Sequence, residues 1–357
     1  MKRLFVALFL LVIFTTARTQ TIKNFADSVR KKYVIPELAY AVISGDTVFE
    51  LKVLGVQRIH SDFQAKLSDR FHIGSNTKAI TSFIAALMVQ QGQIKWKTKI
   101  FDLFPELKAN SEIAYRDVTL QNLLTFRGKL PPYSYGNPAP TKEQLTGDNA
   151  HQRYLLTKYF LSQKPMVEKD GLTPSNADYI VAGLMLEKAS GKTYKQLVTA
   201  FGESVGISFN FDYPNITDVL QPWGHDAYLK PLPPYDNYKL NWLLSAGNIN
   251  VSLTDYIKFI QLQLKGLKGK TSILPQATFE QLLFGEPGFS FGWFNETDKA
   301  TKHHIASNEG NAGAFITHVH LIKEADRAYI IFTNSATAKT SDGIFIIVDQ
   351  LEAKYGR

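Results

Sequence analysis

The chain contains no cysteine. That excludes disulfides, thiol catalysis and lipid anchoring through an N-terminal cysteine. It also contains no G-x-G-x-x-G fingerprint, no P-loop and no H-E-x-x-H motif, so nucleotide binding and zinc-protease chemistry have no sequence support. Internal repeats and low-complexity tracts are absent. The longest apolar run, Leu4 to Phe14, is shorter than the roughly 20 residues a membrane-spanning helix needs.

That run has a different setting. Lys2 and Arg3 precede it, and the small residues Thr15, Thr16 and Ala17 follow. A charged start, a short apolar core and a small-residue region are the layout of a secretory signal peptide. Residues 1–20 are therefore read as a signal peptide, cut between Ala17 and Gln20, and the mature protein as periplasmic or secreted with no stable membrane span. Export without disulfides suits a chain of 357 residues, which is long enough to bury a large core without covalent staples. The formal net charge is +8. Its basic clusters, Arg30-Lys31-Lys32, Lys95-Lys97-Lys99 and Lys265-Lys268-Lys270, are short and, apart from Trp96, carry no interleaved aromatics, unlike a single-strand groove. They read as solvated surface, and nucleic acid is not an expected partner.

Patterning divides the chain. Residues 38–43 and 47–56 are rich in strand formers around Gly45-Asp46 and predict a hairpin. Ile80, Phe83, Ile84, Leu87 and Met88 fall at helical spacing after Gly74, and Gly92 ends that helix. Helices are predicted near 117–125, 148–163, 176–189 and 193–203, with proline-rich loops at 129–140 and 207–238. Helices near 253–265 and 275–284 follow, then strands at 289–294, 314–322 and 327–334 and a last helix over about 340–354. Strands at both ends and helices between them predict an α/β fold of α+β type. One antiparallel sheet is built from both chain ends and flanked by helices, with a mostly helical inserted lobe.

Ser75-Asn76-Thr77-Lys78 is an S-x-x-K tetrad. On a helix the serine and lysine share one face. At the helix start, free backbone N–H groups and the positive end of the dipole favour a nucleophile and the oxyanion its attack creates. A lysine one turn on takes the serine proton if burial lowers its pKa. Ser28-Val29-Arg30-Lys31 fits the same pattern and reads as a surface helix. Taken alone, the tetrad reads rather as a serine N-cap beside a solvated lysine.

Longer blocks separate the two copies. Phe71-His72-Ile73-Gly74-Ser75-Asn76-Thr77-Lys78 with Gln91-Gly92-Gln93-Ile94 resembles the serine block of the class C β-lactamase-like, penicillin-binding serine hydrolase family. Asp117 to Thr125, Ser175-Asn176-Ala177-Asp178-Tyr179 with Gly183, Glu187 and Ser190-Gly191-Lys192, and Ser245-Ala246-Gly247-Asn248 resemble later blocks in the same order. So do Phe291-Gly292-Trp293, Asn308-Glu309-Gly310-Asn311 and Thr333-Asn334. The resemblance implies a β-lactamase-like domain over 21–357, with a sheet lobe of about 21–92 and 240–357 and a helical lobe of about 93–239. It implies a site between the lobes.

In the roles it implies, Ser75 attacks a carbonyl, Lys78 accepts its proton and Asn176 positions lysine and substrate. The N–H of Asn311 joins that of Ser75 in the oxyanion hole. Asn308 and Gly310 contact substrate from the strand. Trp293 lines the pocket and Tyr133 its rim. No cofactor is implied. The expected partner is a small-molecule or peptide substrate, with cell-wall fragments a further candidate.

Three departures stand out. The family's second motif is usually Tyr-x-Asn, and its tyrosine oxygen shuttles protons. Here the tyrosine position is Pro174. The third motif usually opens with Lys or His and here opens with Asn308. The loop that usually reads His-Thr-Ser-Gly is Phe126-Arg127-Gly128-Lys129. Ser175, Glu309, Tyr133 and Tyr135 are candidate replacements for the shuttle. Without a cation in the third motif, recognition of a substrate carboxylate weakens. An esterase or peptidase acting through an acyl-enzyme is favoured over an efficient β-lactamase or D-Ala-D-Ala carboxypeptidase. The alternative is a catalytically impaired relative that binds cell-wall fragments, peptides or a protein in the same cleft.

Other candidates are weaker. His303-His304 reads as an exposed pair, and His318 with His320 lacks a third ligand for a metal. Trp96, Trp223 and Trp242 read as core or cleft wall.

Overall fold

The structure, a computed structural model, describes residues 21–167, 171–235 and 237–356. The expected signal peptide lies outside them. Among the described residues no helix is long and apolar enough to cross a membrane.

The frame is a seven-stranded antiparallel sheet in the order β2-β1-β10-β9-β8-β7-β6. Its strands are β1 (Glu37–Ile43), β2 (Val48–Gly55), β6 (Gly288–Ser290), β7 (Trp293–Thr297), β8 (His304–Asn311), β9 (Ile316–Ile322) and β10 (Arg327–Thr333). β1 is buried along its whole length, because both faces of the sheet are covered there. That explains why Leu38 to Ile43 reads as a continuous apolar run rather than an alternating one.

Two terminal helices cover one face. Helix α1 (Ile22–Lys32) is N-capped by Thr21 and buries Ile22, Ala26 and Val29. Helix α10 (Ala338–Tyr355) buries Ile344, Ile347 and Leu351. They pack with Tyr40, Ile331 and Ile322 of the sheet. Ser28 is exposed on α1, so the second S-x-x-K copy is surface helix, as expected.

The other face carries the large core. It is packed by α2 (Thr77–Gln90), α5 (Asn176–Ser190), α6 (Tyr194–Val205), α8 (Leu253–Leu267) and α9 (Gln276–Phe284). Helices α3 (Leu120–Leu124) and α4 (Asn149–Leu161) lie between α2 and α5 in sequence, and the short α7 (Leu244–Gly247) precedes α8. Capping follows composition. Thr119, Asp148, Ser175, Thr193 and Ser252 each accept a backbone N–H at a helix start, satisfying donors with no partner inside the helix. Gly191 closes α5 at φ 68°, a left-handed cap that glycine adopts without strain.

The structure corrects the expected elements in three places. A second, three-stranded sheet forms from β3 (Arg70–His72), β5 (Ile249–Ser252) and β4 (Asn210–Phe211). These strands are too short and too distant in sequence to show a period. The expected strand 289–294 is two strands joined by a turn at Phe291 (φ 40°) and Gly292 (φ 97°). The turn is forced because Gly292 lies against α2, where a Cβ would come 2.5 Å from the Ala79 nitrogen. β8 begins well before the block that resemblance placed on the last motif strand.

One buried ion pair ties the helices together. Arg153 on α4 reaches Glu187 on α5 at 2.7 Å, with both side chains largely buried. Glu187 also accepts the Tyr194 backbone N–H at 2.7 Å. Removing one partner leaves an uncompensated buried charge, which costs about 3–5 kcal/mol. Glu187→Ala should therefore lose about that much stability in guanidinium unfolding. A loss below about 1 kcal/mol would show that Arg153 is hydrated or re-paired once its partner has gone.

Candidate active site

The site is built where β3 runs into α2. Gly74, Ser75 and Asn76 form a single 3-10 turn before α2, so the regular α-helix begins two residues later than Ser75. Gly74 sits at φ 48°, and a Cβ there would lie 2.8 Å from the Asn311 nitrogen and 3.0 Å from the Gly310 carbonyl carbon. Only glycine accepts that backbone and that approach. The end of β8 is thereby held directly against the serine turn.

His72 supports the turn from below. Gly74 N–H donates to His72 Nδ1 at 3.2 Å, which leaves Nε2 as the donor to Asn248 Oδ1 at 3.1 Å. Burial pushes the imidazole down to about 4, so His72 is a neutral strut.

Lys78 is buried, with 3% of its surface exposed. Its Nζ donates to Ser75 Oγ at 2.9 Å, to Asn176 Oδ1 at 2.7 Å and to the Ala246 carbonyl on α7 at 2.8 Å. These acceptors use all three of its hydrogens in the protonated form. None is a carboxylate. Burial alone acts on the group and lowers its pKa to about 7. A neutral amine is therefore accessible beside a serine hydroxyl at ordinary pH.

Asn176 is the first residue of α5. Its Nδ2 donates to the Tyr133 carbonyl at 2.8 Å, which orients Oδ1 toward the lysine. Ser175, the N-cap, donates its hydroxyl to the Pro131 carbonyl at 2.6 Å and accepts from Ala177 N–H. The proline-rich loop is thus fastened to the helix start at two points.

A cleft of about 320 Å³ opens over these groups, with Ser75, Lys78, Asn176 and Asn308 in its wall. Pro174 also lines it, so the position that resemblance assigns to a tyrosine presents an aliphatic ring. Phe126, Phe289 and Phe294 add an aromatic side. Phe126 stacks on Phe289 at 4.0 Å, and Phe289 meets Phe294 edge-on at 4.9 Å. Sequence reasoning missed all three. Phe126 stands at φ 55° in the departed loop, and no periodicity marks a residue that lines a cleft from a turn.

Several expected residues are placed differently. Trp293 does not line the cleft. It is 1% exposed, because successive side chains on β7 point to opposite faces, and its neighbour Phe294 takes the cleft side. Tyr133 does border the cleft, although it is largely buried, with its ring edge-on to Phe160 at 5.0 Å and no hydrogen-bond partner on its hydroxyl. Its carbonyl also holds Asn176. Asn308 donates Nδ2 to the Gly292 carbonyl at 2.7 Å and to the Ser75 carbonyl at 3.2 Å. One amide hydrogen ties β8 to the serine turn and the other ties it to the turn between β6 and β7. Gly310 lies under Ile73, where a Cβ would fall 1.9 Å from its carbonyl oxygen.

Of the other shuttle candidates, Tyr135 donates its hydroxyl to the Gly247 carbonyl at 3.1 Å. Glu309 lines the cleft. His304 pairs with Glu324 at 2.7 Å, and His320 lies 3.3 Å from Glu352. Among the described residues no group of three or more metal-ligating side chains gathers.

Comparison with known proteins agrees with this fold. Protein flp of Staphylococcus aureus (strain N315) is 21% identical over 330 residues, covering 90% of this chain and 64% of that protein. The chain therefore spans somewhat under two thirds of that relative's length. The octameric penicillin-binding protein homologue from Pyrococcus abyssi superposes with a TM-score of 0.73 at 17% identity, covering 92% of this chain and 76% of that one. The class C beta lactamase from Rhodobacter sphaeroides also gives 0.73, at 14% identity over 92% and 99% of the two chains. The family model described as beta-lactamase matches residues 19–345, nearly the whole described chain, and the protein belongs to the beta-lactamase family, with its serine hydrolase fold.

Proposed function

We propose that the protein is an exported serine hydrolase, periplasmic or secreted, that works through an acyl-enzyme on an ester or on an amide or peptide carbonyl. The observation that carries this reading is the contact of 2.9 Å between Lys78 Nζ and Ser75 Oγ, made by a lysine that burial holds near neutrality.

The sequence of steps follows from the groups present. Neutral Lys78 takes the Ser75 proton as Oγ bonds to the carbonyl carbon. The backbone N–H groups of Ser75 and Asn311 stabilise the oxyanion. The ammonium of Lys78 then returns the proton to the departing alkoxide or amine, the bond to the leaving group breaks, and the acyl group remains on Ser75. Water then bonds to the acyl carbon as it loses a proton to Lys78, the bond to Ser75 Oγ breaks, and Lys78 returns the proton to Oγ, releasing the acid. Pro174 contributes no proton, so Lys78 is the sole carrier in this scheme. Ser175 is occupied as an N-cap and donates its hydroxyl to the Pro131 carbonyl, which removes it from the relay. A sole carrier favours good leaving groups, hence esters and reactive amides.

Pro174 and the doubly engaged amide of Asn308 favour a second reading, a binding module for peptides or cell-wall fragments. Intact-protein mass separates the two. The protein is incubated with a penicillin, a cephalosporin, an activated aryl ester and a fluorophosphonate, beside Ser75→Ala. The hydrolase reading expects an adduct from the ester or the fluorophosphonate, mapped to the peptide holding Ser75 and missing in the variant. Folded protein that takes no adduct from any donor would leave the binding module as the function.

A further inference from the structure

One carboxylate lines the cleft, and no cation among the described residues pairs with it. Glu309 follows Asn308 on β8, and the pairing of β7 with β8 stops at Phe294 and Ser307. From Asn308 onward, β8 is paired on its β9 side alone, and Glu309 reaches the wall shared with Ser75. Burial is the one influence on its carboxyl, raising it above the usual carboxylate range, and no described cation acts on it. Directly across on β9 stands His318, buried and pushed down to about 4, hence neutral. Lys78, the only basic residue in the wall, is committed to Ser75, Asn176 and Ala246. A chain of net charge +8 thus carries an acidic cleft with an aromatic side.

We propose that Glu309 is a specificity-determining residue that selects ligands bearing a cationic group near the scissile carbonyl, with their apolar part against Phe126, Phe289 and Phe294. The cation is a protonated amine, a guanidinium or a quaternary ammonium. Glu309 is exposed on β8, so it attracts such a group as a solvent-screened carboxylate at the cleft wall, an effect of modest size. Phe294, the exposed ring of the three, can add attraction to the same charge through its face, while Phe126 and Phe289 stack on each other. A ligand carboxylate at the same place meets like charge and is rejected. The inference rests on the reading that this cleft is where substrate binds, and Ser75 chemistry is not required to test it.

The test is calorimetric titration of wild type and Glu309→Gln with 4-phenylbutylammonium, 4-phenylbutanol and 4-phenylbutyrate. Wild type should bind the ammonium about fivefold more tightly than the alcohol, with the butyrate weakest. In Glu309→Gln the ammonium should lose that advantage to within about twofold. Equal binding of the three by wild type, no binding of the ammonium, or a preference that survives in Glu309→Gln would overturn the assignment. Failure of the acyl-enzyme reading appears elsewhere, as a missing Ser75 adduct, and leaves these titrations intact.

Discussion

Lys78→Met is expected to slow acylation of Ser75 by an activated ester by about 10²–10⁴-fold, the usual worth of a positioned proton acceptor. The wild-type rate should rise with pH through about 7, where burial places the lysine, and this limb should vanish in the variant. A second consequence has the opposite sign. Above about pH 7 Lys78 is neutral in the fold, whereas in the unfolded chain it stays protonated up to its ordinary 10.5. The unfolded state then binds more protons, so this group's contribution to stability rises with pH between those values. Methionine carries no such dependence. The stability of Lys78→Met relative to wild type should therefore improve as pH falls from 10.5 and level off below 7, on top of a pH-independent cost for the acceptors at Asn176 and Ala246 that lose their donor. Stability of the two proteins in denaturant at pH 6, 8 and 10 reads this change directly. Slower acylation without the pH limb, in a folded variant, assigns the proton transfer to Lys78. An unchanged limb assigns it to another group.

Gly310→Ala is expected to damage both fold and site, although it adds one methyl group. The new Cβ would sit 1.9 Å from the Ile73 carbonyl oxygen and 2.6 Å from Thr317 Oγ1. The oxygen is backbone and cannot rotate away. Thr317 Oγ1 donates to that same carbonyl at 3.0 Å and accepts from Asn76 Nδ2 at 2.8 Å, so the methyl also splits a buried hydrogen-bonded chain. Overpacking costs about 1–3 kcal/mol, and each buried hydrogen bond lost adds about 1 kcal/mol. The variant should lose at least 2 kcal/mol, roughly, on those grounds. Acylation should fall more than about 100-fold as β8 moves away from Ser75, in line with the cost of misplacing an oxyanion donor. Gly136→Ala is the control. A Cβ there meets only Ser134 Oγ, at 3.8 Å, and neither stability nor rate should change appreciably. A Gly310→Ala protein as active as wild type would remove β8 from the catalytic arrangement.

The parts legible in the sequence are those with a local code. Helix α5 is announced by an N-cap serine and a glycine at its end, and α2 by its apolar spacing, and both fall within two residues of expectation. Ser75, Lys78 and Asn176 were found through motif order and come together within hydrogen-bond distance. What stayed hidden depends on tertiary approach. The Ala246 carbonyl carries no side-chain signature, yet it is one of three ligands to the lysine. Trp293 and Phe294 are adjacent aromatics, and only the phase of β7 decides which meets the cleft. Asn308 looked like a substrate donor because its type permits it, and the proximity of Gly292 and Ser75 decides what it binds. Phe126 became a wall residue through a backbone conformation that composition does not reveal.

The sheet joins the two ends of the chain. Leu38 on β1 pairs with Thr333 on β10, across nearly the whole described length. Pairings of such separation carry a large loop-closure entropy and form late. During synthesis the first hairpin, β1 with β2, can form early, but it waits at an open edge until β10 has been made. The serine turn can form with α2, yet the strand that completes it, β8, is also among the last segments to appear. Assembly of this site is therefore a property of the finished polypeptide. A chain interrupted before β8 presents an unpaired β1 edge and, on the proposed scheme, a nucleophile without its oxyanion partner, exposed to aggregation but unable to react prematurely.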